Sequence, residues 1–164
     1  MKKFELTSEF VTFLGKKLFR IKALVSFGDV KEGELGGLVE KEENLDQSGN
    51  AWVSGDARVY GDAWVSGDAR VYGDARVYGD AWVSGDARVQ NCRDYSATSC
   101  FGSENRTTTF FRTKDGGISV RCGCFYGTLA EFREKVKERH GGRRLAKEYL
   151  MLADLMEFRL SKDE

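Results

Sequence analysis

Five side chains in this sequence could carry nucleophilic or metal chemistry: Cys92, Cys100, Cys122, Cys124 and His140, the one histidine of the chain. Four thiols suffice for an all-thiolate, four-coordinate zinc. Their spacing is not that of a zinc knuckle, because one pair is Cys-x-Cys and the other has seven residues between. Structural thiols, buried and reduced, are the expectation. A catalytic cysteine needs a base. His140 stands just before Gly141-Gly142, at the end of a helical pattern, where the helix dipole favours it without any further role. These residues predict neither a catalytic centre nor a cofactor. A second set is richer: arginine, tyrosine and tryptophan recur at fixed intervals between residues 52 and 90. Guanidinium groups pair with anions and aromatic rings stack on flat ones. Both are also the residues that dominate protein interfaces.

The element that must position this second set is a repeat. Gly49 to Gln90 is seven consecutive six-residue units: GNAWVS, GDARVY, GDAWVS, GDARVY, GDARVY, GDAWVS and GDARVQ. A period this short and strict marks a stack in which each copy packs on its neighbours. Ala and Val, two residues apart, share one face of a strand, and the Trp or Arg between them points the other way. Gly-Asp supplies the corner. Proline is absent from the chain, which suits a fold that needs every backbone donor. The aspartates of the corners, 56, 62, 68, 74, 80 and 86, are expected to cap turns through their side chains rather than to line up a calcium ladder.

Written as Val-x-Gly-Asp-Ala-x, the unit resembles the hexapeptide repeat of left-handed parallel β-helices. The resemblance implies three hexads per triangular coil, valine filling the interior and alanine letting the corner close. It implies that residues 18 apart stack. Arg58 then lies over Arg76 beside Tyr60 over Tyr78, and Trp64 over Trp82 beside Ser66 over Ser84. The third face is mixed: Trp52, Arg70 and Arg88 with Ser54, Tyr72 and Gln90. Arg58, Tyr60, Trp64, Arg76, Tyr78 and Trp82 are therefore the candidate site. They would form either the seam of a homotrimer, common in such families, or a site for an anionic nucleotide. Acyltransferases of that fold use a histidine at the coil, and its carbonic anhydrases use three histidine ligands. No histidine occurs between Gly49 and Gln90, so neither activity is carried over.

Around the repeat the chain divides into a β-rich cap over 1–48, the β-helix over 49–90 and a hairpin plus two-helix module over 91–164. The fold class is mainly β with C-terminal α. In the cap, Leu18 to Val25 predicts one strand and Phe4 to Thr7 a shorter one. Val39 and Leu45 fall on the alanine register at six-residue steps, implying a degenerate coil before Gly49. The cap is placed to cover an exposed end of the stack. Downstream, Thr107–Phe111 and Ile118–Cys122 flank Lys114-Asp115-Gly116-Gly117, a hairpin. Thr128-Leu129-Ala130-Glu131 opens a helix as a capping box. A second helix from Arg143 to Leu160 carries an apolar stripe too wide for one face, with Leu150, Met151, Leu155 and Phe158 beyond the main row. That excess must meet the rest of the chain or another subunit. Arg121, Arg133, Lys135, Lys137, Arg139, Arg143, Arg144 and Lys147 read as a mixed-charge solvated face, with a basic edge for an anionic partner as the alternative.

Lys and Arg total 26, as do Asp and Glu, so no net charge drives the chain toward nucleic acid or membrane. No run of about 18 apolar residues predicts a membrane span, and Met1-Lys2-Lys3-Phe4-Glu5-Leu6 does not read as a signal peptide. A cytoplasmic, reducing setting is expected.

Nearly the whole chain resembles small proteins encoded by bacteriophages and prophages. The resemblance rests on Phe27-Gly28-Asp29-Val30, on Gly36-Gly37-Leu38-Val39-Glu40-Lys41-Glu42-Glu43-Asn44-Leu45, on the GDARVYGDA run, and on Thr109 to Gly117 with Cys122 to Leu129. It implies a phage accessory protein in a bacterial host cell, with no established activity to transfer. A non-enzymatic binding protein that antagonises host defence, by sequestering a nucleotide-type signal or by binding a host effector, is the leading expectation. An acyltransferase-like enzyme recruiting His140 or Cys124, and a virion structural or assembly protein, are the alternatives.

Overall fold

A computed structural model describes residues 1–102 and 106–161. Its centre is the repeat. Each hexad contributes a two-residue strand: β4 Trp52–Val53, β5 Arg58–Val59, β6 Trp64–Val65, β7 Arg70–Val71, β8 Arg76–Val77, β9 Trp82–Val83 and β10 Arg88–Val89. Strands three hexads apart pair in parallel and in register: β4 with β7, β7 with β10, β5 with β8, and β6 with β9. Successive coils thus lie 18 residues apart, as a solenoid.

The backbone follows one rule. The N–H of a lower coil donates to a carbonyl of the coil above, Trp52 to Ala69 at 3.0 Å and Ser54 to Val71 at 2.9 Å among others. Every repeat alanine and valine is 0–1% exposed, so these two residue types fill the interior with no polar atom to satisfy. The corners close through the backbone, Ala57 N–H to the Ser54 carbonyl and Ala69 N–H to the Ser66 carbonyl, each at 3.3 Å. This corrects the expected role of the aspartate side chains: Asp56, Asp68, Asp74 and Asp80 are exposed, and the corner does not depend on them.

The N-terminal segment extends one face of the stack. β1 Phe4–Phe13 and β2 Lys16–Ala23 form an antiparallel hairpin around Leu14-Gly15, so the first strand is far longer than Phe4 to Thr7. β3 Leu35–Val39 pairs with β2 on one side and with β5 on the other, giving the order β1-β2-β3-β5-β8. The degenerate coil before Gly49 is present, with a shifted register. Val39 pairs with Val59, and Leu45 bridges Val65. Both occupy valine positions, not alanine positions. The offset is 20 residues there and returns to 18 at Trp52, so two extra residues lie between Leu45 and Trp52.

Above the last coil the chain builds a four-stranded antiparallel sheet, β11 Tyr95–Phe101, β12 Arg106–Arg112, β13 Ile118–Cys122 and β14 Phe125–Thr128, in sequence order. The predicted hairpin is its centre. The outer two strands were not legible as strands. Helices α1 Leu129–His140 and α2 Arg144–Leu160 follow. The Thr128 hydroxyl accepts from the Glu131 N–H at 3.1 Å and starts α1, while Gly141 at φ 57° ends it. Phe110, Val120, Phe132, Tyr149, Leu152 and Met156 belong to a second core between sheet and helices, separate from the solenoid interior. No helix among the described residues is long and apolar enough to cross a membrane.

Candidate functional site

The 18-residue stacking brings the candidate ladder residues together in pairs. Tyr60 and Tyr78 lie nearly parallel, centroids 5.3 Å apart and 9° between planes. Trp64 and Trp82 are 4.6 Å apart at 27°. Arg58 pairs with Arg76 across β5 and β8. The chain then covers much of what it has stacked.

On the Arg/Tyr face the cover is Phe13, at the end of β1. Its ring meets Tyr60 edge-on at 5.5 Å. The Arg58 and Arg76 guanidinium groups lie 4.4 Å and 5.0 Å from its centroid. Tyr60 is buried at 8% exposure and Tyr78 is open at 52%. Burial also pushes the Tyr60 phenol above its ordinary pKa, so it stays neutral at physiological pH. On the Trp/Ser face the cover comes from the C-terminal sheet. The Arg121 guanidinium lies 3.5 Å from the Trp82 ring centroid, and the Thr109 hydroxyl accepts the Trp82 N–H at 3.0 Å. The Trp82 indole N–H donates to the Ser66 hydroxyl at 3.0 Å. Trp64 keeps an exposed edge, at 36%. On the mixed face Trp52 is fully enclosed, with Phe4 and Phe27 edge-on at 6.4 Å and 5.4 Å, and Arg70 is ion-paired to Asp29. The exposed remainder of the ladders is therefore Trp64, Arg76 and Tyr78.

The deepest concavity lies elsewhere. Between α1 and the end of β13–β14 is a cleft of about 470 Å³. Arg106, Lys135, Arg139 and His140 line it. Lys135, Arg139 and His140 are i, i+4 and i+5 on α1, one helix face, while Arg106 reaches in from the start of β12. Phe125, Phe132 and Tyr149 supply aromatic wall, with His140 stacked on Tyr149 at 5.7 Å and 23°. Among the described residues no carboxylate lines the cleft.

Cys122 and Cys124 also line this cleft; Cys92 and Cys100 do not. The buried-thiol expectation fails: Cys92, Cys100 and Cys124 are exposed and Cys122 is half-buried, all four free. The reason is topological, since β13 ends at Cys122 and Cys124 falls in the turn before β14 rather than on a strand face. No three of the described His, Cys, Asp or Glu residues gather closely enough to hold a metal ion, and the zinc reading has no support there.

Sequence reasoning missed Arg106 and Tyr149 as cleft residues. The basic run on α1 was visible, but its division was not. Arg133 bonds Asp154 at 2.8 Å and Glu157 at 2.6 Å on α2, and Lys137 approaches Glu134. Lys135 and Arg139 turn to the cleft instead. The available signal was the i, i+4, i+5 spacing with the helix-ending glycines.

Compared with known proteins, residues 51–67 and 69–85 match a family model described as the YdcK β-solenoid repeat. Together with the coil pairing, this makes the repeat stretch a β-solenoid. No curated protein matches the chain.

Proposed function

We propose that this chain is a phage-encoded, non-enzymatic binding protein that blunts a host defence, either by sequestering a nucleotide-type signal or by engaging a host effector in the bacterial cytoplasm. The finer fold reading belongs with it: a left-handed hexapeptide β-helix that assembles as a homotrimer through its outer faces. The observation that carries the reading is the stacked Trp64–Trp82 pair with Arg121 on it. Indole faces that already hold each other and a guanidinium have the chemistry to take a flat ring beside a negative charge. Phage origin rests on the sequence blocks around Gly36-Gly37 and Cys122-Gly123-Cys124.

A panel of mono-, di- and cyclic nucleotides tests it by thermal shift, because a ligand held only by the folded state raises its melting temperature. A rise of several degrees with at least one anionic nucleotide is expected. No shift across the panel, with assembly lost on Arg76→Glu in native mass spectrometry, leaves the ladders as a subunit seam only.

One observation favours a second reading. His140 and Cys124 line the same cleft, so a thiol and a base are near one another in a chain whose coil lacks histidine. That supports an acyltransferase-like enzyme. Acyl-CoA turnover that disappears in both Cys124→Ser and His140→Gln would establish it.

A further inference from the structure

We propose that the cleft between α1 and the β13–β14 turn is a binding site for a nucleoside monophosphate, with Lys135, Arg139 and Arg106 on the phosphate and the aromatic wall on the base. This rests on the sequestering half of the reading above and relocates the ligand away from the solenoid ladders.

Three observations lead to it. The first is charge. Basic residues in the last turn of a helix are ordinarily explained by the macrodipole, and Lys137 in that turn needs no other reason. That explanation does not reach Arg106, which comes from β12 and lines the same cleft. Lys135 has only a long contact, 4.0 Å, to an exposed Glu138. Cationic groups from two elements thus converge with no carboxylate among the described lining residues, which repel one another unless an anion joins them.

The second is shape. Gly123, at φ 58°, sits where a β-carbon would overlap the Arg106 guanidinium. The turn is bare at the point that lets Arg106 lie across it. The cleft volume of about 470 Å³ falls in the range of small-molecule sites, roughly 300–1,000 Å³.

The third is the wall. Phe125 and Phe132 lie with centroids 5.7 Å apart, and Tyr149 meets Phe132 edge-on at 5.9 Å and stacks on His140. A purine or pyrimidine finds ring faces here, and each stacked base contributes about 1–3 kcal/mol in aromatic sites. An inorganic phosphate would use only the cations. The ladders offer rings too, but their Arg58 and Arg76 already lie on Phe13.

The thiols give a local reporter. Cys124 is exposed and lines the cleft, whereas Cys92 and Cys100 are exposed and remote from it. A bound ligand should shield Cys124 from iodoacetamide and leave Cys92 and Cys100 unchanged.

The test is calorimetric titration of the intact protein with AMP, adenosine and inorganic phosphate, together with peptide-resolved alkylation. AMP should bind at least 10-fold more tightly than phosphate or adenosine and slow alkylation of Cys124 selectively. Lys135→Glu with Arg139→Glu, both at exposed positions, should weaken AMP at least 10-fold with the melting temperature kept, and Trp64→Ala should not weaken it. AMP binding that survives the double variant and disappears in Trp64→Ala overturns the cleft assignment and leaves sequestration standing on the ladder. No binding of AMP at millimolar concentration overturns the assignment too. If another nucleotide of the panel still shifts the melting temperature, sequestration survives without this cleft; if none does, both readings fall.

Discussion

The Lys3 ammonium donates to the Ala51 carbonyl at 2.9 Å, in the position where a further coil below would present an N–H. The same ammonium reaches the Ser48 and Gly49 carbonyls at 3.3 Å and 3.4 Å and lies 4.7 Å from the Phe27 ring centroid. Asn44 does the equivalent job one face on, its amide donating to the carbonyls of Gly61 at 3.2 Å and Ala63 at 2.8 Å. The solenoid's open lower edge is thus closed by side-chain donors as well as by strands. Unpaired buried carbonyls are costly, and a capped edge cannot template end-to-end stacking.

Lys3 is 4% exposed, and burial lowers its pKa from 10.5 to about 8. The unfolded chain therefore binds more protons than the folded one between about pH 8 and pH 10.5, and stability from this group rises with pH across that window. Lys3→Gln removes the titration. The stability of the wild-type protein relative to Lys3→Gln should increase from pH 7.5 to pH 10, by urea denaturation at matched ionic strength. At pH 7.5, Lys3→Met should cost about 1–3 kcal/mol through the abandoned carbonyls. A wild-type minus Lys3→Gln difference that stays flat with pH would mean the ammonium is solvated.

Two corner glycines separate conformational strain from close approach. Gly67 and Gly79 have nearly the same φ, 67° and 68°. A β-carbon at Gly67 would come 2.9 Å from the Gly85 nitrogen of the next coil, and one at Gly79 would meet nothing within 4 Å. Gly79→Ala should cost only the left-handed strain, about 1–2 kcal/mol. Gly67→Ala must in addition push two coils apart and should cost about 1–3 kcal/mol more. Equal melting temperatures for the two variants would show that the coils give way freely.

How much of this was legible follows from where the information sits. The hexads announce themselves because each copy needs the same valine, alanine and corner, so a local rule is written seven times. The register of the first coil was misread because Val39 and Leu45 were counted forward at six-residue steps, and the two added residues before Trp52 break that count only in three dimensions. The covering of the ladders was not legible at all. Phe13 finds Tyr60, and Arg121 finds Trp82, across 47 and 39 residues of chain, and no short-range pattern records such contacts. The cleft fails to show for the same reason: Arg106 and Tyr149 belong to different elements, and only α1's own spacing hinted at a face with a purpose. The wide stripe on α2 was legible and keeps its meaning. Met151, Leu155 and Phe158 are 72%, 56% and 84% exposed, so neither sheet nor solenoid covers them.

Arg121 on Trp82 joins the solenoid to the C-terminal module, and it can be tested alone. The guanidinium is half-buried, its Nε has no hydrogen-bond partner, and burial lowers its pKa. Its compensation is the indole face at 3.5 Å, a desolvated cation–π contact of about 2 kcal/mol. Arg121→Ala should destabilise the protein by about 1–2 kcal/mol. Arg121→Lys should recover part of that, since an ammonium keeps the charge and loses the flat stacking. Hydrogen exchange should localise the change, with the amides of β13 and of Trp82 exchanging faster in Arg121→Ala while those of β4 and β7 stay protected. Uniform acceleration along all coils would instead mean that module and solenoid unfold as one unit. Unchanged protection would assign the docking to the Thr109–Trp82 hydrogen bond.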